Sequence, residues 1–544
     1  MQKSHFVKKL AELDKAYNNI VPVWRELAEY FEPRTSKFLV QDVNKKPKFS
    51  SKIKDSSPAM AVRNFSSGMM SGATSPAQKW FKTSVGNFQK PSYSVKSWCA
   101  VTGDLFRDIF SSSNIYQNFP RVYEQLGIFG ISAMCLEKDF STVMRTKVLP
   151  IGSYRIAKDF TGKVDTLYRV YTETAQNLVE EFGEENCSER VRTAAEENGE
   201  TLIEIVHAVE KNRDADGVGK FAKKKKFISV YFERCGEDEM FLRESGFDAF
   251  PYVVFEADVN GEDVYPSKCP GIIALPNVKQ LMAMIIKKAK AVDKMVDPAL
   301  KGSATLKNKQ VSNNPNTFVP IPDTATNGLS AIHEVNPQVL QLSNDIEALK
   351  ATIGQIFYND LFAMLVNSNY TQPRSATEIQ ERQQEKMVLL SPLLEQIITA
   401  LKQIMEWLFL TSIELEILPE PPEEIQGSEF KIEFVSTLAQ AQKAGRIGGI
   451  ERFVTFVSNL GATVDPSAVM KLNVPEIIDD YAEYANIEPD QIVPNEIVAA
   501  QKAAAAKQKQ QEQVMQNLQQ GSEIVNNMGG VDAFGANLDK RIGI

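Results

Sequence analysis

Histidine is scarce in this chain: His5, His207 and His333 are the three in 544 residues, and they stand far apart. That spacing leaves no HExxH metal pair and gives no serine or cysteine a nearby histidine base. The five cysteines, Cys99, Cys135, Cys187, Cys235 and Cys269, are as widely scattered. Without a close pair they form neither a zinc ribbon nor a disulfide framework, and they point to synthesis in a reducing compartment. No apolar run reaches the length needed to cross a bilayer, and the charged, amphipathic N-terminus lacks the apolar core of a signal peptide. GxxxxGK[ST], a GxGxxG between strand and helix, and a GxSxG elbow are all missing, so if the chain serves a motor it is not the ATP-hydrolysing part. Positive charge is not in excess either. A net charge of −8 and a pI near 5.4 deny the chain a global basic field and argue against tight sequence-independent DNA binding. The expectation is a soluble, cytoplasm-made protein with no enzymatic activity, metal or cofactor.

What is present is patterned apolar sequence. Phe6, Leu10, Leu13 and Tyr17, then Trp24, Leu27 and Phe31, recur at helical spacing up to Pro33. Ser57-Pro58 reads as an N-cap with a first-turn proline, opening a helix that Gly72 and Pro76 stop. After a glycine-punctuated helical stretch, a strand leaves Gly130. Residues 153–183 read as strand, turn at Thr161-Gly162, strand, and a short helix capped by Thr174 and closed by Gly183. Four further strand-like segments follow, which together predict an antiparallel sheet on helices. The run Lys223 to Lys226 reads as a solvated strand edge.

From Pro276 the texture becomes helical. Val278, Leu281, Met282, Ile285, Ala289, Val292 and Val296 fall on one face, with Lys279, Lys287, Lys290 and Lys294 opposite. Residues 298–338 form an excursion with two short strands, "TFVPI" and "AIHEV". The chain returns through Leu342, Ile346, Leu349, Ile353 and Ile356, a helix-packing seam. A polar loop, "VNSNYTQPRS", precedes a long helix from Ala376 to Ser412 that Pro392 should kink. The tail "VAAQKAAAAKQKQQEQVMQNLQQ" reads as a helix with too thin an apolar face for a core of its own.

The stretch "RNFSSGMMSGATSPAQKWFK", residues 63–82, allows three readings. Ser67 and Ser71 lie within a helix rather than at a strand-to-helix turn, which disfavours nucleophilic catalysis. Arg63, Asn64 and four serines would be costly in hydrocarbon. The remaining reading is a helix whose small residues admit a close neighbour, with Trp80 and Phe81 anchoring the exit of the chain.

These segments also resemble, in order, the portal (head-to-tail connector) proteins of short-tailed phages, the podoviruses. The series runs "VWRELAEYFEPR", "FSSGMMSGATSPAQKWFK", "YEQLGIFGISAMCLEKD", "DFTGKVDTLYRVYTETAQNLVEEFG", the passage from "ESGFDAFPYVVFEADV" to "MIIKKAKAVDK", and "SATEIQERQQEKMVLLSPLLEQI". It covers residues 20 to about 400. The chain departs from the family's pattern at Val253-Val254-Phe255 and Tyr265-Pro266-Ser267.

The resemblance implies an α+β, mainly helical portal fold: an α+β wing over 1–274, stem helix 1 at 275–297, a clip at 298–338 and stem helix 2 at 339–362. A channel loop at 363–375, a long kinked wing helix at 376–412, wing and crown helices at 413–500, and a crown helix with a flexible tail at 501–544 would complete it. It further implies a homo-oligomeric ring, typically a dodecamer, in the virion at one capsid vertex. Double-stranded DNA would pass through it during packaging and ejection. A separate terminase ATPase, the major capsid and scaffolding proteins, and tail adaptor and tail proteins would be its partners, with assembly in the host cytoplasm and no membrane contact. Candidate channel cations are Lys279, Lys287, Lys290, Lys294 and Arg374. The candidate loop tip is Asn367, Ser368, Asn369 and Tyr370, and the structural anchors are Trp24, Trp80, Phe81 and Pro392. The rival readings are another non-enzymatic virion core protein and a DNA-processing enzyme.

Overall fold

The computed structural model describes residues 2–33, 52–85, 92–212, 225–234, 240–258, 263–296, 300–301, 330–331, 339–366, 376–425, 430–434, 437–463, 471–485 and scattered positions from there to 512. Helices α1 (Lys3–Phe31) and α2 (Ser57–Ala73) lead to strand β1 (Phe81–Val85), then α3 (Tyr93–Ser112) and α4 (Ile115–Phe129). The sheet region holds β2 (Ile131–Asp139), β3 (Val143–Val148), β4 (Tyr154–Lys158), β5 (Val164–Thr174), α5 (Ala175–Phe182), α6 (Glu189–Asn198), β6 (Leu202–Lys211), β7 (Phe227–Glu233), β8 (Arg243–Phe247) and β9 (Tyr252–Glu256). Next come α7 (Pro270–Val296), the short pair β10 (Leu300–Lys301) and β11 (Ser330–Ala331), α8 (Val339–Ile356), α9 (Asn359–Val366), α10 (Ala376–Glu414), β12 (Phe430–Phe434), α11 (Thr437–Thr463) and α12 (Val474–Ala485).

Two antiparallel sheets dominate, one ordered β3-β2-β9 and the other β4-β5-β6-β7-β8; β1 pairs with β12. Alternation along the strands explains why the larger sheet is apolar on both faces. Tyr168, Val170, Val206, Ala208, Ile228, Val230 and Phe232 face α1 and receive Phe6, Leu10 and Leu13. Ile203 and Ile205 point the other way, under α5 and α6, against Leu178, Phe182 and Val191. Burying each of these large side chains contributes about 1.5–3 kcal/mol. Thr174 caps α5 by accepting the Asn177 N–H, and Gly183 closes it at φ 85°. Lys225, in the basic run, pairs with Asp248 across the strand edge.

The chain divides into two compact units. One comprises Met1–Lys82, Thr102–Pro419 and Ile432–Leu438; the other comprises Thr83–Val101, Glu420–Lys431 and Ala439–Ile544. The second unit has a small core of Val95, Cys99 and Ile425, and its α12 meets α11 where Tyr481 donates to Glu451 at 3.0 Å. Phe453, Phe456 and Leu460 of α11 are exposed.

Several boundaries differ from the sequence reading. Ser57, expected as an N-cap, is the first helical residue, and its N–H donates to Asp55 Oδ1 at 2.7 Å, so the aspartate two residues upstream serves that donor. The helix expected to open stem 1 near residue 275 starts at Pro270, because Cys269 Sγ accepts the Ile272 N–H and Gly271 is pressed against the Ile128 carbonyl. A side chain at Gly271 would place its Cβ 2.2 Å from that oxygen. The single helix expected over 339–362 is two, α8 and α9, broken at Phe357-Tyr358, where Tyr358 has φ 57°. Long helix α10 runs through Pro392, which is exposed. "TFVPI" and the tail beyond 512 lie outside the described residues.

Candidate nucleic-acid interface

The basic arc lies on α7. At 100° per residue, Lys279, Lys287, Lys290 and Lys294 span about 80° of the helix surface, and the apolar face lies across the helix from them. Along that apolar face burial is graded. Val278, Leu281 and Met282 are buried against the body, whereas Val292 and Val296 are exposed, as is Leu340 on α8. Helix α8 covers α7 through its seam, with Ile346 and Ile353 buried and Leu342, Leu349 and Ile356 half-buried. The outer half of α7 therefore combines an uncovered apolar side with an uncovered cationic side.

The four lysines are not equivalent. Lys279 Nζ lies 2.6 Å from Glu26 Oε2 of α1. Lys287, Lys290 and Lys294 are exposed, and among the described residues no ion pair engages them. Lys350 on α8, which sequence reasoning did not single out, bridges Asp55 at 3.4 Å and Glu347 at 3.2 Å. The hydrogen bond to Glu347, followed by the two neighbouring carboxylates, raises its pKa. Arg374 and the loop residues Asn367, Ser368, Asn369 and Tyr370 lie outside the described residues.

The aromatic anchors sit in the first unit. Trp24 is fully buried and its indole N–H donates to the Phe129 carbonyl at 3.1 Å, fastening α1 to the end of α4. That end is capped by Gly130 at φ 77°, from which β2 departs. Trp80 donates to the Tyr116 hydroxyl at 3.1 Å, stacks on Phe110 and Phe434, and meets Phe81 edge-on. The small residues of α2 do admit a close neighbour: Gly68 lies under the Phe362 ring of α9, where a Cβ would come within 2.1 Å of ring carbon, and Ser66 donates to the Pro120 carbonyl at 2.7 Å.

The groups that could carry catalysis are engaged otherwise. Buried His207 of β6 has Nε2 2.9 Å from Ser229 Oγ and Nδ1 2.8 Å from the Tyr252 hydroxyl, and it stacks on Tyr231. Burial, then the Arg169 and Arg243 charges, push its pKa down to about 3, so the ring is neutral. His5 pairs with Glu210; His333 lies outside the described residues. Among the described residues the cysteines are free thiols, and no group of His, Cys, Asp and Glu is arranged to hold a metal. Burial raises the Cys99 thiol to about 11 and the Cys269 thiol to about 12, and also raises Cys187. No described helix is long and apolar enough to cross a membrane.

The profile of the family described as "Bacteriophage head to tail connecting protein" matches residues 3–493. The "Portal protein" of Salmonella phage epsilon15 is 38% identical over 520 residues, 94% of this chain and 93% of that one. The "Probable portal protein" of Bordetella phage BPP-1 is 36% identical over 516 residues, 94% of this chain and 92% of the relative. A chain from the solved neck of an empty GTA particle aligns with 78% of this chain and 93% of its own length, at 11% identity and a TM-score of 0.35. With the match running through both sheets, the α7–α8 pair and most of the second unit, the chain belongs to the bacteriophage head-to-tail connecting protein family, that of the portal proteins.

Proposed function

We propose that the chain forms the portal ring of a tailed phage, a structural connector without catalytic activity, with identical copies, twelve by the family's pattern, surrounding a conduit for double-stranded DNA at one capsid vertex. The graded burial of α7 carries the physical part of this reading. A helix end that leaves Val292, Met295 and Val296 to water is destabilised unless another surface covers them. Adjacent copies of the same hairpin in a ring supply that surface, and Lys287, Lys290 and Lys294, across the helix, stay available to a polyanion. An acidic chain with a few cationic rings suits a conduit, since DNA must slide and a strong phosphate grip would stall it.

The division into wing, stem, clip, channel loop and crown follows the family plan. In that plan residues 298–338 form the docking face for a terminase ATPase during packaging and for tail adaptor proteins afterwards. Capsid and scaffolding proteins contact the wing, and the ring assembles in the host cytoplasm before it enters the virion. The deciding experiment is mass and image of the purified full chain. A particle of several hundred kilodaltons with a hole on its rotational axis and no ATPase or nuclease activity fits the proposal. A persistent monomer, or intrinsic hydrolysis, overturns it, and a large assembly without a central hole favours an internal core protein.

A further inference from the structure

Two hairpin turns repeat one motif, Lys-Asp-Phe followed by Ser or Thr, at 138–141 and 158–161. In each the aspartate turns back on the loop: Asp139 accepts from Ser141 and Thr142, and Asp159 accepts from the Thr161 N–H at 2.8 Å, the Lys163 N–H at 3.0 Å and the Thr161 hydroxyl. In each the phenylalanine is thrust outward, Phe140 at 108% and Phe160 at 97% relative exposure, the two highest values of any large apolar residue described. A fixed turn holding a bare phenyl ring is a pre-organised knob. Past Phe160 the turn faces open space: a Cβ on Gly162, at φ 83°, would meet nothing within 4 Å.

Phe160 tips the β4–β5 turn, on one edge of the five-stranded sheet. At the other edge, where β8 begins, an open cavity of about 450 Å³ is lined by Phe182, Phe241, Leu242, Arg243, Glu244 and Asn186. Strand spacing and rise put the two features roughly 19 Å apart across the sheet and roughly 24 Å along it, so a subunit cannot fill its own cavity. The Arg243 guanidinium lies 4.8 Å from the Phe182 ring and is tethered by the Glu181 carbonyl at 2.9 Å. It offers a fixed planar cation for an incoming aromatic ring. Exposed Lys163 and Lys211 flank the knob beside Asp159, and Glu244 lines the cavity beside Arg243.

We propose that Phe160 of one copy docks in the β8-edge cavity of the next, stacking on Arg243, as a head-to-tail contact of the ring. A knob and a socket at different places on one molecule make a heterologous interface, the type that closes into rings. The inference rests on the ring reading above and assigns it a specific contact.

The test uses the full chain with the photo-crosslinking residue p-benzoylphenylalanine in place of Phe160 and, as control, of Phe140. In assembled rings, irradiation should join position 160 to residues 178–190 or 240–247 of another copy, and position 140 should not reach those segments. Phe160→Asp and Arg243→Glu should each raise the protein concentration needed for half-assembly about tenfold or more, the scale of losing one anchoring aromatic contact. Both subunits should keep the wild-type circular dichroism, and Phe160→Asp, at a fully exposed position, the wild-type melting temperature as well. Intact rings whose position 160 crosslinks elsewhere, or to a capsid or scaffolding protein, overturn this contact and leave the ring reading standing. Failure of the unmodified chain to form rings overturns both.

Discussion

The Lys279 ammonium lies 2.6 Å from the Glu26 carboxylate, so the first lysine of the basic arc is held by α1, and the three beyond it are not. Chain separation hides this: the partners are 253 positions apart in the sequence. The pair is exposed on both sides, so Lys279→Ala should cost no more than about 1 kcal/mol of stability. Its effect on DNA should also be small. Removing Lys287, Lys290 and Lys294 together should weaken DNA binding by the assembled ring and lower the slope of log K against log salt by about 1 per lysine per engaged subunit. Filter binding across a salt series measures both, and an unchanged slope in the triple variant would place the arc away from the DNA.

Gly68 and Gly449 should respond to alanine with opposite signs. Both are helical, where Gly→Ala gains about 1 kcal/mol of propensity. At Gly449 a new Cβ meets nothing within 4 Å, so the gain should appear as a higher melting temperature. At Gly68 the Cβ lands 2.1 Å from Cγ of the Phe362 ring, and overpacking of about 1–3 kcal/mol should win. Phe362→Ala removes the clashing Cγ and Cδ atoms, so Gly68→Ala should cost less in that background than in wild type, a coupling that a double-mutant cycle reads directly.

Neutral His207 should make stability depend on pH. Its folded pKa of about 3 lies below the ordinary 6.5. Below pH 6.5 the unfolded chain therefore binds a proton that the folded chain refuses. The contribution is fully present above that pH and is lost as pH falls toward 3, at up to about 1.4 kcal/mol per unit. Urea midpoints between pH 6.5 and 5 should fall more steeply for wild type than for His207→Gln. Parallel slopes would mean that the ring accepts a proton in place.

Trp24→Phe should destabilise the first unit by about 1–3 kcal/mol. It keeps an aromatic ring in a fully buried site but leaves the Phe129 carbonyl without its indole donor. Thermal melting measures the loss, and a change within 0.5 kcal/mol, about the size of a neutral surface substitution, would show that the hydrogen bond is dispensable.

The elements that sequence reveals here are those with local causes. The spacing of Phe6, Leu10 and Leu13 marks α1, Thr174 and Gly183 bracket α5, and the small residues of α2 announce a close neighbour without naming it. What escapes is decided at long range. The apolar step from Ile353 to Phe362 continues in register, so nothing local signals the left-handed Tyr358 that splits α8 from α9. Pro276 reads as a boundary, yet α7 begins at Pro270 because α4 presses on Gly271. The lysine arc is visible as periodicity, but the capture of Lys279 by Glu26 is not. Neither is the β8-edge cavity, which draws its lining from α5, the loop after it and a strand some sixty residues later.

Only the thiolate attacks disulfides or reacts readily with oxidants. Because Cys99, Cys187 and Cys269 are enclosed and kept protonated at neutral pH, they should behave as small apolar fillers. An oxidising medium should therefore leave these three thiols uncrosslinked.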